Sequence, residues 1–206
     1  MHGRGARLVL GSASPRRRAL LDERYVVFTV EPADVDESLV GEFTPAAAAR
    51  EVALRKARVL LERHRGDALF VLCADTVVGV PDGAGWRLLA KAADRDEART
   101  MLQQLSGTTQ SVCTGIAVAR CSDGALFDDV ETTFVTMRAL SAREIEDYLD
   151  SDEWRDKAGA YGIQGSADRF VVGLSGGGFD NVVGLPVERA LLLLARAGLE
   201  LEALRR

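Results

Sequence analysis

Histidine and cysteine are scarce in this chain of 206 residues, which has only His2, His64, Cys73, Cys113 and Cys121 of these types. Neither histidine lies near a candidate nucleophile, and no two cysteines form a Cys-x-x-Cys pair. The scarcity and spacing of these residues argue against a histidine-based catalytic triad and against a zinc site. An odd number of unpaired cysteines, the first within an apolar run, is typical of a reducing compartment.

Long apolar runs are missing as well. The stretch from Leu8 to Leu10 is far shorter than the core of about 7–15 residues in a secretory signal. No other run approaches the roughly 18 apolar residues of a membrane span. We therefore expect a cytoplasmic protein that does not bind membranes. The formal charge is −5, with acidic and basic residues interleaved, which argues against broad binding to nucleic acid.

Several common motifs of nucleotide-binding proteins and hydrolases are absent: Gly-x-x-x-x-Gly-Lys-Ser/Thr, Gly-x-Gly-x-x-Gly and His-Glu-x-x-His. The run Ser175-Gly176-Gly177-Gly178 is superficially similar to a phosphate loop, but it lacks the lysine and a clear following helix. We expect residues 175–181 to form a flexible loop.

The composition, 47% hydrophobic and 28% charged, is that of one globular domain. Apolar and β-branched runs predict strands over residues 7–10, 25–30, 68–80, 110–120, 125–138 and 169–174. Capping residues and apolar periodicity predict helices starting at Ser14-Pro15, over 44–64, 94–105 and 141–149, and from Pro186. The order of these elements predicts an α/β fold with a mixed sheet flanked by helices and with active residues at strand ends.

The turn after the first strand reads Gly-Ser-Ala-Ser-Pro-Arg-Arg at residues 11–17. It offers a ligand free backbone N–H groups, two hydroxyls and two guanidinium groups at a helix N-terminus, which predicts a phosphate site. Arginines at 16–18 oppose the helix dipole by about 0.3–1 kcal/mol each, which indicates that an anion sits there. The alternative is that Ser14 only caps the helix and the arginines are solvated.

Asp75 and Thr76 interrupt the apolar run of residues 71–78. Burial of a carboxylate inside a strand is energetically costly. One interpretation is that this carboxylate holds a divalent metal or acts as a general base towards water. The alternative is an aspartate at a strand end that bonds to loop backbone.

A second polar segment, residues 156–165, places Lys157, Tyr161 and Gln164 among small residues. Small residues allow close approach of the backbone to a ligand, although an ordinary glycine loop would look the same. Lys56, Lys91 and Lys157, with the arginines of the turn, supply enough positive charge to offset a triphosphate.

These segments, in this order, resemble the Maf family of nucleotide pyrophosphatases. The resemblance covers nearly the whole chain and rests on residues 10–17, 36–37, 56–57, 74–78, 105–107, 156–165 and 183–186. The chain departs from the family pattern at Gly11, where alanine is usual, at Ala90 and Ala92, where glycine and proline are common, and at Gln110, where histidine is frequent.

The resemblance implies an elongated Maf/ITPase-like fold, a single domain over 1–206 with an active-site cleft between two lobes, in a homodimer. It implies Mg²⁺- or Mn²⁺-dependent hydrolysis of a nucleoside triphosphate at the α–β phosphate bond. By the same resemblance the general base is Asp75, and Glu37 holds the metal with Asp75. Phosphate contacts are implied for Ser12, Arg16 and Arg17, charge neutralisation for Lys56, Lys91 and Lys157, and substrate choice for Arg16, Thr76 and Gln164.

Ile163-Gln164-Gly165 is similar to the branch that acts on dTTP and UTP, in contrast to the branch for methylated guanosine. A glutamine amide complements the N3–H donor and O4 acceptor of uracil or thymine. Two other functions stay open: a nucleotide-binding regulator of septum formation without turnover, and a dinucleotide-binding module on the first strand and helix. The missing glycine fingerprint argues against the second.

Overall fold

The computed structural model describes residues 7–24 and 26–204, which form one seven-stranded mixed sheet with helices packed against it. His2 and Tyr25, which belong to the sequence predictions, lie outside these residues. The strands are β1 Arg7–Leu10, β2 Thr29–Val30, β3 Leu69–Asp82, β4 Gly85–Leu89, β5 Thr109–Arg120, β6 Ala125–Met137 and β7 Val171–Ser175. The helices are α1 Pro15–Asp22, α2 Pro45–Arg63, α3 Arg95–Leu105, α4 Ala142–Leu149, α5 Phe179–Val183 and α6 Val187–Arg196, with 3₁₀ turns at Asp168–Phe170 and Leu201–Leu204.

The strand order is β2-β1-β3-β5-β6-β7, and β4 pairs with the far part of β3. β1 runs parallel to β2 and β3, whereas the pairs β3–β4, β3–β5, β5–β6 and β6–β7 are antiparallel. The predicted fold class, a mixed sheet flanked by helices, is therefore confirmed. Among the described residues, no helix combines the length and the hydrophobicity that crossing a membrane would require.

Side-chain caps begin the helices where the sequence predicts them. The Ser14 hydroxyl accepts from the Arg17 amide, and Ser141 with Glu144 forms the predicted capping box. The predicted box at the start of α3 is only half formed. Asp94 caps the Glu97 amide, but the Glu97 carboxylate accepts from the amide of Ala93, one residue before the cap.

Three predicted elements differ from the structure. Of the described part of the strand predicted at 25–30, only Thr29–Val30 forms a strand, and these two residues pair with Val9 and Leu10 of β1. Residues 175–181 are not a flexible loop: β7 includes Ser175, and α5 begins at Phe179 because the Asn181 side chain is buried and hydrogen-bonded to the sheet. Pro186 caps α6 and does not form its first residue.

β3 is 14 residues long and crosses from one half of the molecule to the other. Its first six residues alternate between a core shared with α6 and a core shared with α2. Further on, Val78 and Val80 belong to a third core, which contains α3 and α4. Asp75 to Val77, between these cores, keep some exposure to solvent. The prediction that active residues lie at strand ends is therefore wrong for Asp75, because β3 continues past the end of β1 into the second half.

Candidate active site

A cleft of about 1060 Å³ opens at the middle of β3. Its walls come from the β1–α1 turn, α2, β3, the segment around Lys91, residues 155–164 and the turn after α5. The ten residues that the sequence predicts for the site all line this cleft: Ser12, Arg16, Arg17, Glu37, Lys56, Asp75, Thr76, Lys91, Lys157 and Gln164. Arg18, which the matched motif does not need, is exposed and pairs with Asp22.

Two carboxylates meet at one buried lysine that lines the cleft. Lys56 is buried on α2, and its Nζ lies 2.7 Å from Asp75 Oδ1 and 2.7 Å from Glu37 Oε1. The ammonium group therefore holds the two carboxylates together and offsets part of their charge. The side chain of Glu37 remains half exposed to the cleft, whereas that of Asp75 is largely buried.

Helix α2 reaches this position because Gly115 of β5, the cross-strand partner of Asp75, has no side chain. A Cβ at Gly115 would clash with the backbone of Ala49 and would lie 2.6 Å from the amide nitrogen of Arg50. The missing side chain thus lets the helix backbone rest directly on the sheet. That contact sets the height of Lys56 above Asp75.

Burial and charge change the acidity of the two carboxylates in opposite directions. Burial raises the pKa of Asp75, and the nearby charges of Lys56 and Arg17 offset this only in part, while Glu37 adds to it. Burial also opposes ionisation of Glu37, but its hydrogen bond to Lys56 and nearby positive charges outweigh this and lower the pKa of Glu37. A raised pKa makes Asp75 a stronger base than an ordinary aspartate.

The Arg17 guanidinium is fixed by three acceptors of the protein. Its Nε donates to the Gly184 carbonyl at 2.7 Å, one terminal nitrogen to Ser12 Oγ at 3.2 Å and the other to Thr76 Oγ1 at 3.1 Å. A guanidinium has five N–H donors, so two remain for a ligand. Arg16 is held more loosely, with one contact of 3.5 Å to the Asp156 carbonyl.

Gly11, where the Maf family usually has alanine, is explained by Cys73 beneath the turn. A Cβ at Gly11 would clash with Cys73 Sγ and would lie 2.7 Å from a methyl carbon of Leu60. All three cysteines are free and buried. Burial raises the pKa of Cys73 to about 12, so this thiol is a packing group and not a nucleophile.

The opposite side of the cleft is built from turns. Lys91 is exposed and forms an isolated bridge with Ala158, and the Gly159 amide donates to the Ala90 carbonyl at 3.0 Å. The Lys157 ammonium donates to the Glu153 carbonyl. Burial and the neighbouring Arg16 lower the pKa of Lys157. Gln164 is exposed and lines the cleft.

The donor set fits a magnesium-type cation. Mg²⁺ is commonly bound through one or two carboxylates, with the remaining ligands from water and substrate phosphates. Glu37 and Asp75 are two such carboxylates, and Lys56 contacts one oxygen of each, which leaves the other oxygens for a cation. Within residues 7–24 and 26–204, no group of three His, Cys, Asp or Glu side chains forms a complete protein cage.

Sequence reasoning missed two buried residues behind the site, Thr114 and Asn181. Thr114 contacts Thr76 at 2.9 Å, and its hydroxyl donates to the Asn181 carbonyl. The available signal was a threonine within the apolar run of β5, which is the same kind of interruption that draws attention to Asp75.

Comparison with known proteins agrees with this arrangement. The family model for Maf-like proteins matches residues 7–197. The chain belongs to the Maf family. Its curated relatives include proteins named dTTP/UTP pyrophosphatase from Myxococcus xanthus, 47% identical over 195 residues (94% of each chain), and from Koribacter versatilis, 43% identical over 194 residues (94% of this chain and 96% of the relative). The Maf resemblance expected from the motifs is therefore confirmed.

A third Maf relative, the dTTP/UTP pyrophosphatase of Caulobacter vibrioides, is 43% identical over 195 residues, which cover 94% of this chain and 97% of the relative. The matches thus extend over both halves of this Maf protein, including the β1–α1 turn and the segment around Gln164.

Proposed function

We propose that this Maf protein hydrolyses nucleoside triphosphates, with dTTP and UTP as preferred substrates, to the monophosphate and pyrophosphate. The observation that carries the proposal is the Asp75 carboxylate, whose pKa is raised, in one cleft with the Arg17 guanidinium and the N-terminus of α1. The names of the curated relatives support the same reaction.

In the proposed mechanism the β1–α1 turn holds the phosphates. Backbone N–H groups at the start of α1, the Ser12 hydroxyl and the two unused N–H groups of Arg17 bind phosphate oxygens. Arg16, Lys91 and Lys157 line the same cleft and offset the remaining negative charge. Charge placed in this way stabilises the departing pyrophosphate more than the bound substrate, which is the source of rate enhancement.

Asp75 takes the proton from the attacking water. The water oxygen forms a bond to the α-phosphorus, the bond from that phosphorus to the α–β bridging oxygen breaks, and the electron pair leaves with pyrophosphate. Lys56 keeps Asp75 and Glu37 in place throughout. A divalent cation, for which we propose Mg²⁺ or Mn²⁺ held by Glu37 and Asp75, would supply further positive charge at the phosphates.

Base selection is proposed for the exposed Gln164, with Arg16 and Thr76 in the same cleft. Its amide offers an acceptor to the N3–H of uracil or thymine and a donor to O4. A methylated guanine presents a different edge and a larger ring system.

We also propose that residues 1–206 act as one catalytic domain in a cytoplasmic homodimer. Three buried free thiols support a reducing compartment. Exposed apolar side chains on the edge strand β7, Val172 and Leu174, support pairing of two copies. Sedimentation equilibrium should give twice the chain mass of 22.2 kDa, and a mass equal to one chain would contradict the dimer.

The reaction is tested with a panel of nucleoside triphosphates, including methylated guanosine and modified pyrimidines, assayed for pyrophosphate with Mg²⁺ and with Mn²⁺. We expect the highest kcat/KM for dTTP and UTP. A strong preference for methylated guanosine triphosphate would refute the substrate assignment. Calorimetric binding of nucleotide without pyrophosphate release would favour a regulator without turnover.

A further inference from the structure

A chain of hydrogen bonds leads from the Arg17 guanidinium away from the cleft into the sheet. We propose that Thr114, anchored on the backbone carbonyl of Asn181, is a positioning residue that sets the orientation of Arg17 towards phosphate. The proposal rests on the proposed phosphate-binding role of Arg17 and deepens it. Thr114 itself lies behind the site and is not among the cleft-lining residues.

The direction of every hydrogen bond in this chain is determined by its last acceptor. Because a carbonyl oxygen can only accept, the Thr114 hydroxyl donates its one hydrogen to the Asn181 carbonyl, at 2.9 Å. Thr114 Oγ1 must then accept from the Thr76 hydroxyl, at 2.9 Å. Thr76 Oγ1 in turn has no hydrogen left and accepts from the Arg17 terminal nitrogen at 3.1 Å.

This direction matters for Arg17, because a hydroxyl that turned its hydrogen towards the guanidinium would repel it. With Thr114 present, Thr76 presents a lone pair to Arg17 at all times. Thr76 can therefore offer a ligand only a second lone pair and no hydrogen. A ligand group that contacts Thr76 Oγ1 must therefore be a hydrogen-bond donor.

The anchor of the chain is buried in the sheet. Thr114 and Asn181 are both fully buried, with 0% of each residue exposed. The Asn181 side-chain amide donates to the Val112 carbonyl at 3.0 Å and to Thr133 Oγ1 at 2.9 Å, so it attaches α5 to β5 and β6. These buried hydrogen bonds hold the Asn181 side chain against the sheet, although its Oδ1 has no hydrogen-bond partner among the described residues.

The same short segment also holds the other edge of the guanidinium. Gly184, which follows α5, accepts from Arg17 Nε at 2.7 Å. The amide of Gly184 donates to the Asp180 carbonyl, which fixes this turn to the start of the helix. Two of the three protein contacts of Arg17 thus depend on residues 180–184, one directly and one through the two threonines.

The test is Thr114→Val, which keeps the shape of the side chain and removes the hydroxyl. Pyrophosphate, the proposed product, is the probe, and calorimetry measures its binding to the purified full-length protein. We expect the Kd for pyrophosphate to rise about three- to tenfold, the effect of losing about one hydrogen bond. Thr114→Ser keeps the hydroxyl and should restore the wild-type Kd.

Ser111→Ala is the matched control. Ser111 lies on the same strand, is also buried, and its hydroxyl contacts Cys113 Sγ at 3.3 Å, outside the chain that leads to Arg17. We expect this variant to melt at a lower temperature with an unchanged Kd for pyrophosphate. If Thr114→Val also changes only the melting temperature, Thr114 is merely structural and the proposal is wrong.

A double mutant locates the effect at Arg17. In an Arg17→Lys background the guanidinium is gone, so Thr114→Val should have no further effect on the Kd for pyrophosphate. Full additivity of the two substitutions would overturn the proposal. If Thr114→Val does not fold, Thr114→Cys replaces it, and its weakly donating thiol should give an intermediate rise, whereas a wild-type Kd would count against the proposal.

Failure of the proposed function is distinguishable from failure of this inference. Calorimetry of pyrophosphate does not depend on turnover. A wild-type protein that binds pyrophosphate but releases none from triphosphates would contradict the reaction and leave the comparison of Thr114 variants intact.

Discussion

The two sides of the cleft differ in how firmly the fold holds their functional groups. We define the buried wall as Ser12, Arg17, Lys56, Asp75 and Thr76, which lie on the β1–α1 turn, α1, α2 and β3. Each of these side chains is hydrogen-bonded to another member of the wall. The turn wall, defined as Lys91 and residues 156–164, is largely turn backbone, with positive φ at Asp156 and Ala160. The difference suggests that the buried wall performs the chemistry and the turn wall adapts to the substrate.

The largest expected effect comes from Asp75→Asn. Removal of a general base lowers kcat by about 10²–10⁴-fold, while nucleotide binding, measured by calorimetry, should be largely retained. Asp82→Asn is the control, because Asp82 lies on the same strand but is exposed and pairs with Arg87. Unchanged pyrophosphate release from Asp75→Asn would show that Asp75 is not the general base. The proposed difference in role between the two walls would then be wrong.

The second prediction concerns the packing that creates the buried wall. Gly115→Ala pushes α2 away from β5, because the new Cβ clashes with the helix backbone. We expect a loss of about 1–3 kcal/mol in the free energy of unfolding, typical of overpacking, and a lower kcat because Lys56 moves with the helix.

Gly173→Ala in β7 is the matched glycine control, since its Cβ would meet the nearest atom, on Thr136, only at 3.7 Å. Denaturant unfolding and pyrophosphate release are measured on both variants. Equal stability of the Gly115 variant and the wild type would show that a Cβ fits between β5 and α2, contrary to the geometry.

The sequence predicted candidate residues of both walls but not the packing behind the buried wall, and the reason is physical. Asp75 interrupts a buried strand and the β1–α1 turn carries its own capping signal, so both are visible in local sequence. Gly115 was not predicted to matter, because its role depends on a helix that is distant in sequence and rests against it. The helix α5 was also missed, because the buried contacts of Asn181 that stabilise it come from β5 and β6.

The smallest and most specific effect is a shift in the titration of Asp75. Because burial raises the pKa of Asp75, its carboxyl should ionise above the ordinary value of about 3.9. Folding therefore favours the protonated form, so the contribution of Asp75 to stability falls as pH rises through its folded pKa. Carbon-13 NMR of the carboxyl group in metal-free protein measures this pKa directly, without reliance on activity.

Neighbouring substitutions should move that pKa in opposite directions. Lys56 lowers the pKa of Asp75 and Glu37 raises it, so Lys56→Met should shift the titration to higher pH and Glu37→Gln to lower pH. Lys157→Met, on the turn wall, should change it less, because Lys157 is not among the groups with the largest effects on the pKa of Asp75. A shift in the Lys157 variant as large as that in the Lys56 variant would mean that the two walls are electrostatically one site. The assignment of chemistry to the buried wall and of substrate adaptation to the turn wall would then be wrong.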